Sequence, residues 1–304
     1  MLKNLIGQNK VKGRLQFYSK LYKGGYVVPP IMLNAAKGLG KTEFARQFHN
    51  TIKQSPEHKF LEINCGTIRN AEDFFEQVFI PQIAGRNITV LFDECHALPK
   101  DLTDVFLSAF NVEGVKEKQV SFGMSHVTFN FLKQVYLFAT TELHKIFPPL
   151  KDRLSVIDFK PYTEDELGRM MQMKVDWISY DPGVLDSIVA TVRGNARSAI
   201  QRVLEVKAWC EVNNTSKVTH DAWDKIRKDF DILPFGLANV EVQILKALSK
   251  RGTCSLQMLS AITGMSRQAI QLEAENNLLR RGFMEIDGKR KITNKGKKIL
   301  DKIK

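Results

Sequence analysis

No run of eighteen apolar residues occurs in the chain, so no segment reads as a membrane-spanning helix. Cysteine is scarce and scattered. Cys65, Cys95, Cys210 and Cys254 form no CxxC pair, so neither a zinc cluster nor a disulfide framework is expected, and a reducing cytoplasm fits. The opening stretch, MLKNLIGQNKVKGRL, mixes polar and apolar residues too finely for a signal peptide. No internal repeat or low-complexity tract is visible, which sets aside a repeat architecture. Acidic residues are short at one end only. From Lys246 to Lys304, 5 Asp and Glu face 14 Lys and Arg, so this stretch supplies +9 of the chain's formal +12. A basic region of this kind is the electrostatic footprint of nucleic-acid binding.

What is present is a change of pattern along the chain, whose 304 residues suit two or three domains. Apolar runs bounded by turns, PIMLN (30–34), KFLEINC (59–65), NITVLFDE (87–94), QVYLFATT (134–141) and SVIDFKP (155–161), read as strands. Helical patterns such as KTEFARQFHNTIK and NAEDFFEQVFIPQI separate them. Strand and helix in alternation predict an α/β fold with a parallel sheet, because parallel strands need long crossovers. Past Pro161 the pattern turns helical, and Thr163 with Glu166 three residues on forms a capping-box signature. After DILPFGL, three helical patterns are followed by FMEIDGKRKIT, which alternates around a two-residue Asp287-Gly288 turn. Three helices and a basic hairpin make a winged helix. The expected division is 1–161 nucleotide domain, 162–234 helical lid and 235–304 winged helix.

The stretch LNAAKGLGKTEFARQF carries Ala35-x-x-x-x-Gly40-Lys41-Thr42 between a strand and a helix. Glycines such as Gly38 and Gly40 let backbone N–H groups close around an anion, and the following helix adds its positive dipole end. Lys41 would reach the β- and γ-phosphates of ATP, and the Thr42 hydroxyl would hold Mg²⁺. Downstream, ITVLFDECH ends a strand in Asp93-Glu94. Asp93 suits a second anchor near the metal, and Glu94 suits activation of the attacking water. His96 reads as a hydrogen-bonded spacer and Cys95 as a small buried hydrophobe.

Together these residues resemble the RuvB branch of the AAA+ ATPases, and the resemblance runs nearly end to end. It rests on LIGQNKVKGRL, GLGKT, LFDECH, FATTELHKIFPPLKDRLSVIDFKPYTEDEL and RGNARSAIQRVL in that order. It implies an AAA+ P-loop αβα domain, a helical lid and a C-terminal winged helix. It also implies that Ile6 lies on the adenine side, that Thr141 (or Thr140) acts as sensor 1, and that Arg197 acts as sensor 2. Arg153 would be an arginine finger reaching a neighbouring subunit's nucleotide; the plain alternative is a surface pair with Asp152 or Glu164. Tyr162 could pack near adenine. Lys151 stands where the family has another arginine, and Ala35-Ala36-Lys37 replaces its Gly-Pro-Pro entry. The chain reaches Ile6-Gly7-Gln8 almost at once, so a piece that walls the base pocket in the family is expected to be missing.

A finger acting in trans implies a head-to-tail homo-oligomer, a ring or spiral expected as a hexamer. Between Phe110 and Lys133 the pattern predicts an inserted hairpin. In the family a hairpin there docks the junction-binding protein RuvA, and Phe122 and Met124 are the candidate docking tip, with a local core contact as the alternative. On the winged helix, Ser266 to Arg281 reads as the recognition helix, with Arg267, Gln268, Gln271 and Glu275 facing outward. Lys289, Arg290, Lys291 and Lys295, with Lys297 and Lys298, suit phosphate contacts on duplex or branched DNA without sequence preference. The expected activity is an ATP-driven DNA motor for recombination, repair or replication. An ATP-switched clamp or helicase loader, or a replication initiator, is the alternative.

Overall fold

The computed structural model describes residues 2, 5–110, 114–122 and 125–303, with the backbone alone at Phe122 and Ser125. The chain divides into two compact units, 1–166 with 195–197, and 167–194 with 198–304.

In the first unit five strands form one sheet: β1 (Ile31–Asn34), β2 (Lys59–Asn64), β3 (Ile88–Asp93), β6 (Gln134–Thr140) and β7 (Ser155–Asp158). Their order across the sheet is β2-β3-β6-β1-β7. Every neighbour pair is parallel, as the five apolar runs predict. β3 and β6 are central and buried on both faces, which is why their sequences, ITVLFD and QVYLFAT, hardly alternate. Because the strands are parallel, the carboxyl ends of β1, β3 and β6 open on the same edge, where such sheets bind ligands.

One face of the sheet is backed by an aromatic cluster. Phe92 of β3 stacks on Phe138 of β6 at 4.9 Å, and Phe74, Phe75, Phe79, Phe106 and Phe110 complete the layer. Full burial of each such ring stabilises by roughly 1.5–3 kcal/mol. The layer therefore fixes the two strands that end at Asp93 and Thr140. Helix Ala71–Phe74 continues only as a wide turn over Phe75–Ile83, a stretch that includes Pro81, which has no N–H to give a regular ladder.

The inserted hairpin forms as β4 (Glu117–Phe122) and β5 (Ser125–Asn130), antiparallel, with Val120 paired to Val127. Val120, Val127 and Phe129 are buried in the same aromatic core, so the base of the hairpin is anchored. Phe122 ends β4; Met124 lies outside the described residues.

The second unit opens with lid helices. Helix Glu164–Lys174 starts at the predicted capping box, whose two halves close at 2.9 and 3.2 Å. Two short strands, β8 (Ser179–Tyr180) and β9 (Lys217–Val218), pair beside helices Val184–Val189, Ala196–Val212 and His220–Asp229. The winged helix follows as helices Asn239–Arg251 and Leu256–Thr263, then a helical run from Arg267 to Arg280. Its sheet is β10 (Thr253–Cys254), β11 (Met284–Asp287) and β12 (Lys289–Ile292), in the order β10-β12-β11.

Besides the short β8–β9 pair, which lies in a stretch read as helical, two details differ from the sequence reading. The wing pairs Asp287 directly with Lys289, so the turn is centred on Gly288 alone (φ 63°) rather than on a two-residue Asp287-Gly288 loop. β10 was not anticipated, because two residues are too few to show a period. It joins β12 and makes the wing a three-stranded sheet.

Candidate nucleotide site and winged-helix surface

The loop after β1 turns through Gly38 (φ 81°) and Gly40 (φ 94°), both in the region that favours glycine. At Gly38 a Cβ would stand 2.2 Å from the Asn195 side chain, which would have to move aside, and the positive φ strains any other residue there. Gly40 caps helix Lys41–Ile52 without a side chain, which leaves the first-turn N–H groups available to an anion. Lys41, the first residue of that helix, is only 8 % exposed, and its Nζ donates to the Ala35 carbonyl at 3.0 Å, bridging the mouth of the loop. Burial pushes its ammonium below the ordinary lysine range; the charges of Glu94 and Asp93 pull it back up and that of Arg197 lowers it further. Thr42 sits half-buried beside it.

Two other segments close on this loop. Residues 195–197 belong to the same unit as the sheet: Asn195 donates its side-chain amide to the Lys37 carbonyl (2.8 Å), and the Arg197 N–H donates to the Gly38 carbonyl (3.2 Å). Arg197 keeps its side chain exposed there. The sensor 2 candidate is thus brought to the phosphate loop through its backbone. Tyr162 arrives from the far side. Its buried hydroxyl donates to the Leu39 carbonyl at 3.0 Å, and burial pushes its phenol up to about 12. The hydroxyl thus fastens this ring to the loop. Gly7 (φ 68°) has no room for a Cβ against Glu166 and Tyr162, and the Gln8 amide clamps both backbone groups of Lys160 at 2.5 and 3.1 Å. Ile6 is half-buried just before this clamp.

At the carboxyl end of β3, Asp93 accepts the Glu94 N–H at 3.0 Å. Glu94 itself adopts a left-handed conformation (φ 50°), uncommon for a residue with a side chain and characteristic of functional turns. The Thr141 hydroxyl donates to Glu94 Oε2 at 3.2 Å. Thr140, fully buried, instead accepts the Glu142 N–H at 3.0 Å and meets His96 Nδ1 at 3.1 Å. Of the two threonines, Thr141 is the one that faces the Glu94 carboxylate. Cys95 is buried and burial pushes its thiol up to about 12, in keeping with an inert hydrophobe.

The donor set suits a hydrated Mg²⁺ bound through phosphates: one carboxylate (Asp93), one hydroxyl (Thr42), and among the described residues no cluster of three ligands that would form a protein-only cage.

Arg153 lies just past helix Pro148–Lys151. It forms no ion pair with Asp152 or Glu164 among the described residues; Nη1 donates to the Pro149 carbonyl at 2.8 Å, and Nε is buried without a partner.

On the winged helix the expected cations separate into two groups. Arg267 and Lys289 are exposed and make no ion pair among the described residues, as do Lys297 and Lys298. Lys291 faces Asp287 (3.5 Å) and Glu285 (3.7 Å). Lys295 donates to the Arg281 carbonyl at 2.9 Å, closing the C-terminus of the recognition helix, and lies over the Phe283 ring. Arg290, expected among the phosphate contacts, is instead locked to Glu275 at 2.5 and 3.3 Å, the two side chains being 13 and 5 % exposed. Glu275 was expected to face outward. The helical run widens over Ile270–Glu275, and within this altered turn Glu275, its last residue, is buried.

Sequence reasoning passed over Asn195 and the joint setting of His96 and Glu142. Asn195 stands two residues before Arg197 in the quoted motif, so a signal was available there. Two of the partners of His96, Thr140 and Glu142, come from β6 and the loop after it, and nothing local announces them.

Two family models match the chain. The ATPase family associated with various cellular activities (AAA) covers residues 31–162, and the RuvB C-terminal winged helix domain covers residues 234–301. The Holliday junction branch migration complex subunit RuvB of Mycoplasma genitalium is 25 % identical over 97 % of this chain and 94 % of that relative. Its counterpart in Bifidobacterium adolescentis is 26 % identical over 93 and 79 %. Among solved structures, a mutant of Thermotoga maritima RuvB superposes with a TM-score of 0.77 at 22 % identity, covering 99 % of this chain and 97 % of that one. The structure titled as the T. maritima RuvB Holliday junction branch migration motor gives 0.75 at 22 %, over 97 and 95 %.

Proposed function

From the premise that the chain is a RuvB-like AAA+ ATPase, with an AAA domain and a RuvB-type winged helix, we propose that it is an ATP-driven motor that moves duplex or branched DNA. The observation that carries this reading is the convergence of Lys41, Glu94, Thr141 and the 195–197 segment around one phosphate loop, in a chain that ends in a winged helix.

In this reading the loop N–H groups and Lys41 hold the β- and γ-phosphates. Mg²⁺, held by Thr42 and Asp93, would neutralise charge on the phosphate oxygens. Glu94 takes a proton from the attacking water once Thr141 has turned from the carboxylate toward the γ-phosphate. Arg197 reaches the γ-phosphate of its own subunit. Arg153 serves the neighbouring subunit's ATP, which makes the working form a head-to-tail ring or spiral, a hexamer by resemblance. Arg267, Lys289, Lys297 and Lys298 grip phosphates without reading bases. The hairpin β4–β5 docks a junction-binding protein of the RuvA type, and the protein acts in the cytoplasm.

The test is steady-state ATP hydrolysis with and without duplex, forked and four-way DNA at two salt concentrations. DNA-stimulated turnover that is lost in Arg153→Ala and partly restored by mixing that variant with Lys41→Ala is the expected result. Slow hydrolysis indifferent to every DNA would favour an ATP-switched loader.

A further inference from the structure

His96 does more than fill space beside the nucleotide site. Its ring is 17 % exposed and lies between two carboxylates: Nε2 is 3.0 Å from Glu142 Oε2, and Nδ1 is 3.4 Å from Glu94 Oε2. The rest of the setting limits where its proton can sit. Glu142 can only accept, so Nε2 carries the hydrogen. Thr140 Oγ1, which accepts the Glu142 N–H, lies 3.1 Å from Nδ1 and can either donate to it or accept from it. Lys145 holds the other oxygen of Glu142 at 2.8 Å and draws the Glu142 carboxyl below the usual range by its hydrogen bond, keeping it an acceptor. On the far side, the same oxygen of Glu94 that faces Nδ1 accepts from Thr141.

The result is one continuous chain, Lys145–Glu142–His96–Thr140, set against Glu94 and Thr141. It joins the end of β3 to the loop after β6. These are two elements that a water-activating carboxylate and a phosphate-sensing threonine must move between. A tautomer fixed by an outer carboxylate is how a histidine is commonly held in one orientation.

We propose that His96 is a positioning residue for Glu94, oriented by Glu142, and that it sets the distance between the water-activating carboxylate and the sensor loop. The proposal rests on the reading of Glu94 as the residue that activates water. It makes His96 and Glu142 a unit, so removing either disconnects the same support, whereas two unrelated contacts would lose independently.

The experiment pairs kinetics with spectroscopy on the full chain. ATP affinity, kcat and KM are measured for His96→Ala, His96→Gln, Glu142→Gln and the double variant His96→Ala/Glu142→Gln. His96→Ala is expected to lower kcat by about 10-fold or more, as loss of an orienting partner does, with ATP affinity and KM changed by no more than about twofold. His96→Gln, which keeps a donor toward Glu142, recovers part of the loss. The double variant falls no lower than His96→Ala alone. An unchanged kcat in His96→Ala, or losses that simply add in the double variant, would overturn the proposal. In the nucleotide-free protein, ¹⁵N spectra of labelled histidine are expected to show the His96 proton on Nε2; a neutral ring protonated on Nδ1 alone overturns it equally. Wild-type protein that hydrolyses no ATP would sink the motor reading instead, while the nitrogen spectrum would still decide how His96 is paired.

Discussion

The nucleotide site and the winged helix both bear positive charge, but they hold it differently. At the phosphate loop, Lys41 is buried and leans on a carbonyl; burial lowers its ammonium, and two carboxylates that are themselves expected to work on the reaction only partly offset this. On the winged helix, Arg290 is neutralised by a buried carboxylate, Lys291 stands between two acids, and Lys295 closes a helix. A site that must receive an anion keeps its cation in place and short of full compensation. A small domain that must first stay folded uses much of its cationic surface for its own cohesion. Formal charge therefore overstates the second and understates the first.

Four changes would break or sharpen this contrast. The largest effect is expected at Lys41. Lys41→Ala removes the one buried cation of the loop and should abolish detectable ATP binding in calorimetry; tight binding retained would remove the loop assignment. Next comes the buried pair. Glu275→Ala leaves the Arg290 guanidinium enclosed without its carboxylate and should destabilise the winged helix by about 3 kcal/mol in denaturant titration. Replacing both, as Glu275→Leu with Arg290→Met, should cost much less. If the single variant is as stable as the wild type, Arg290 is free to meet DNA after all.

Comparable in size, though spread over pH, is the response of the first unit to acid. His49 and His58 are both buried against the Thr89 hydroxyl at 3.0 Å, and their rings meet edge to face. Burial holds His49 down to about 4, and its neighbours His58, Lys53 and Arg46 act in the same direction; His58 is lowered as well. The unfolded chain therefore takes up protons first. Stability contributed by the neutral rings is complete above about 6.5 and declines as pH falls, with His49 alone accounting for roughly 3 kcal/mol by pH 4. Thermal melts between pH 7 and 4 check this, and His49→Phe should flatten the decline. The smallest effect belongs to the exposed wing. Lys289→Ala should reduce the slope of log affinity against log salt by about 1, while Arg290→Met leaves it unchanged.

The candidate nucleotide site was legible because each of its two motifs is local. A left-handed glycine and a lysine at a helix start are adjacent in sequence, the carboxylate at the end of β3 closes a single apolar run, and the parallel sheet brings these strand ends to one edge. The five strands were readable for the same reason, since runs such as NITVLFDE admit no other buried element of that length. What escaped was decided by partners distant in sequence or by a break in period. Glu275 reads as outward on a regular helix, and only the widened turn at Ile270–Glu275 brings it to Arg290. His96 looks like filler until Glu142 and Thr140 arrive from β6 and the loop after it. Tyr162 is a candidate for packing near adenine, and nothing in the sequence announces that its hydroxyl donates to the Leu39 carbonyl.

Arg153 carries a further consequence. Its buried Nε has no acceptor among the described residues, and a buried donor left in that state costs about 1–3 kcal/mol. If the acceptor belongs to a neighbouring subunit, an isolated chain is slightly strained and relief comes only by association. The melting temperature should then climb with protein concentration, and the climb should vanish in Arg153→Ala, which lacks the donor. On that view Arg153 is a sensor of crowding by its own kind, discouraging the lone subunit before any ATP is bound.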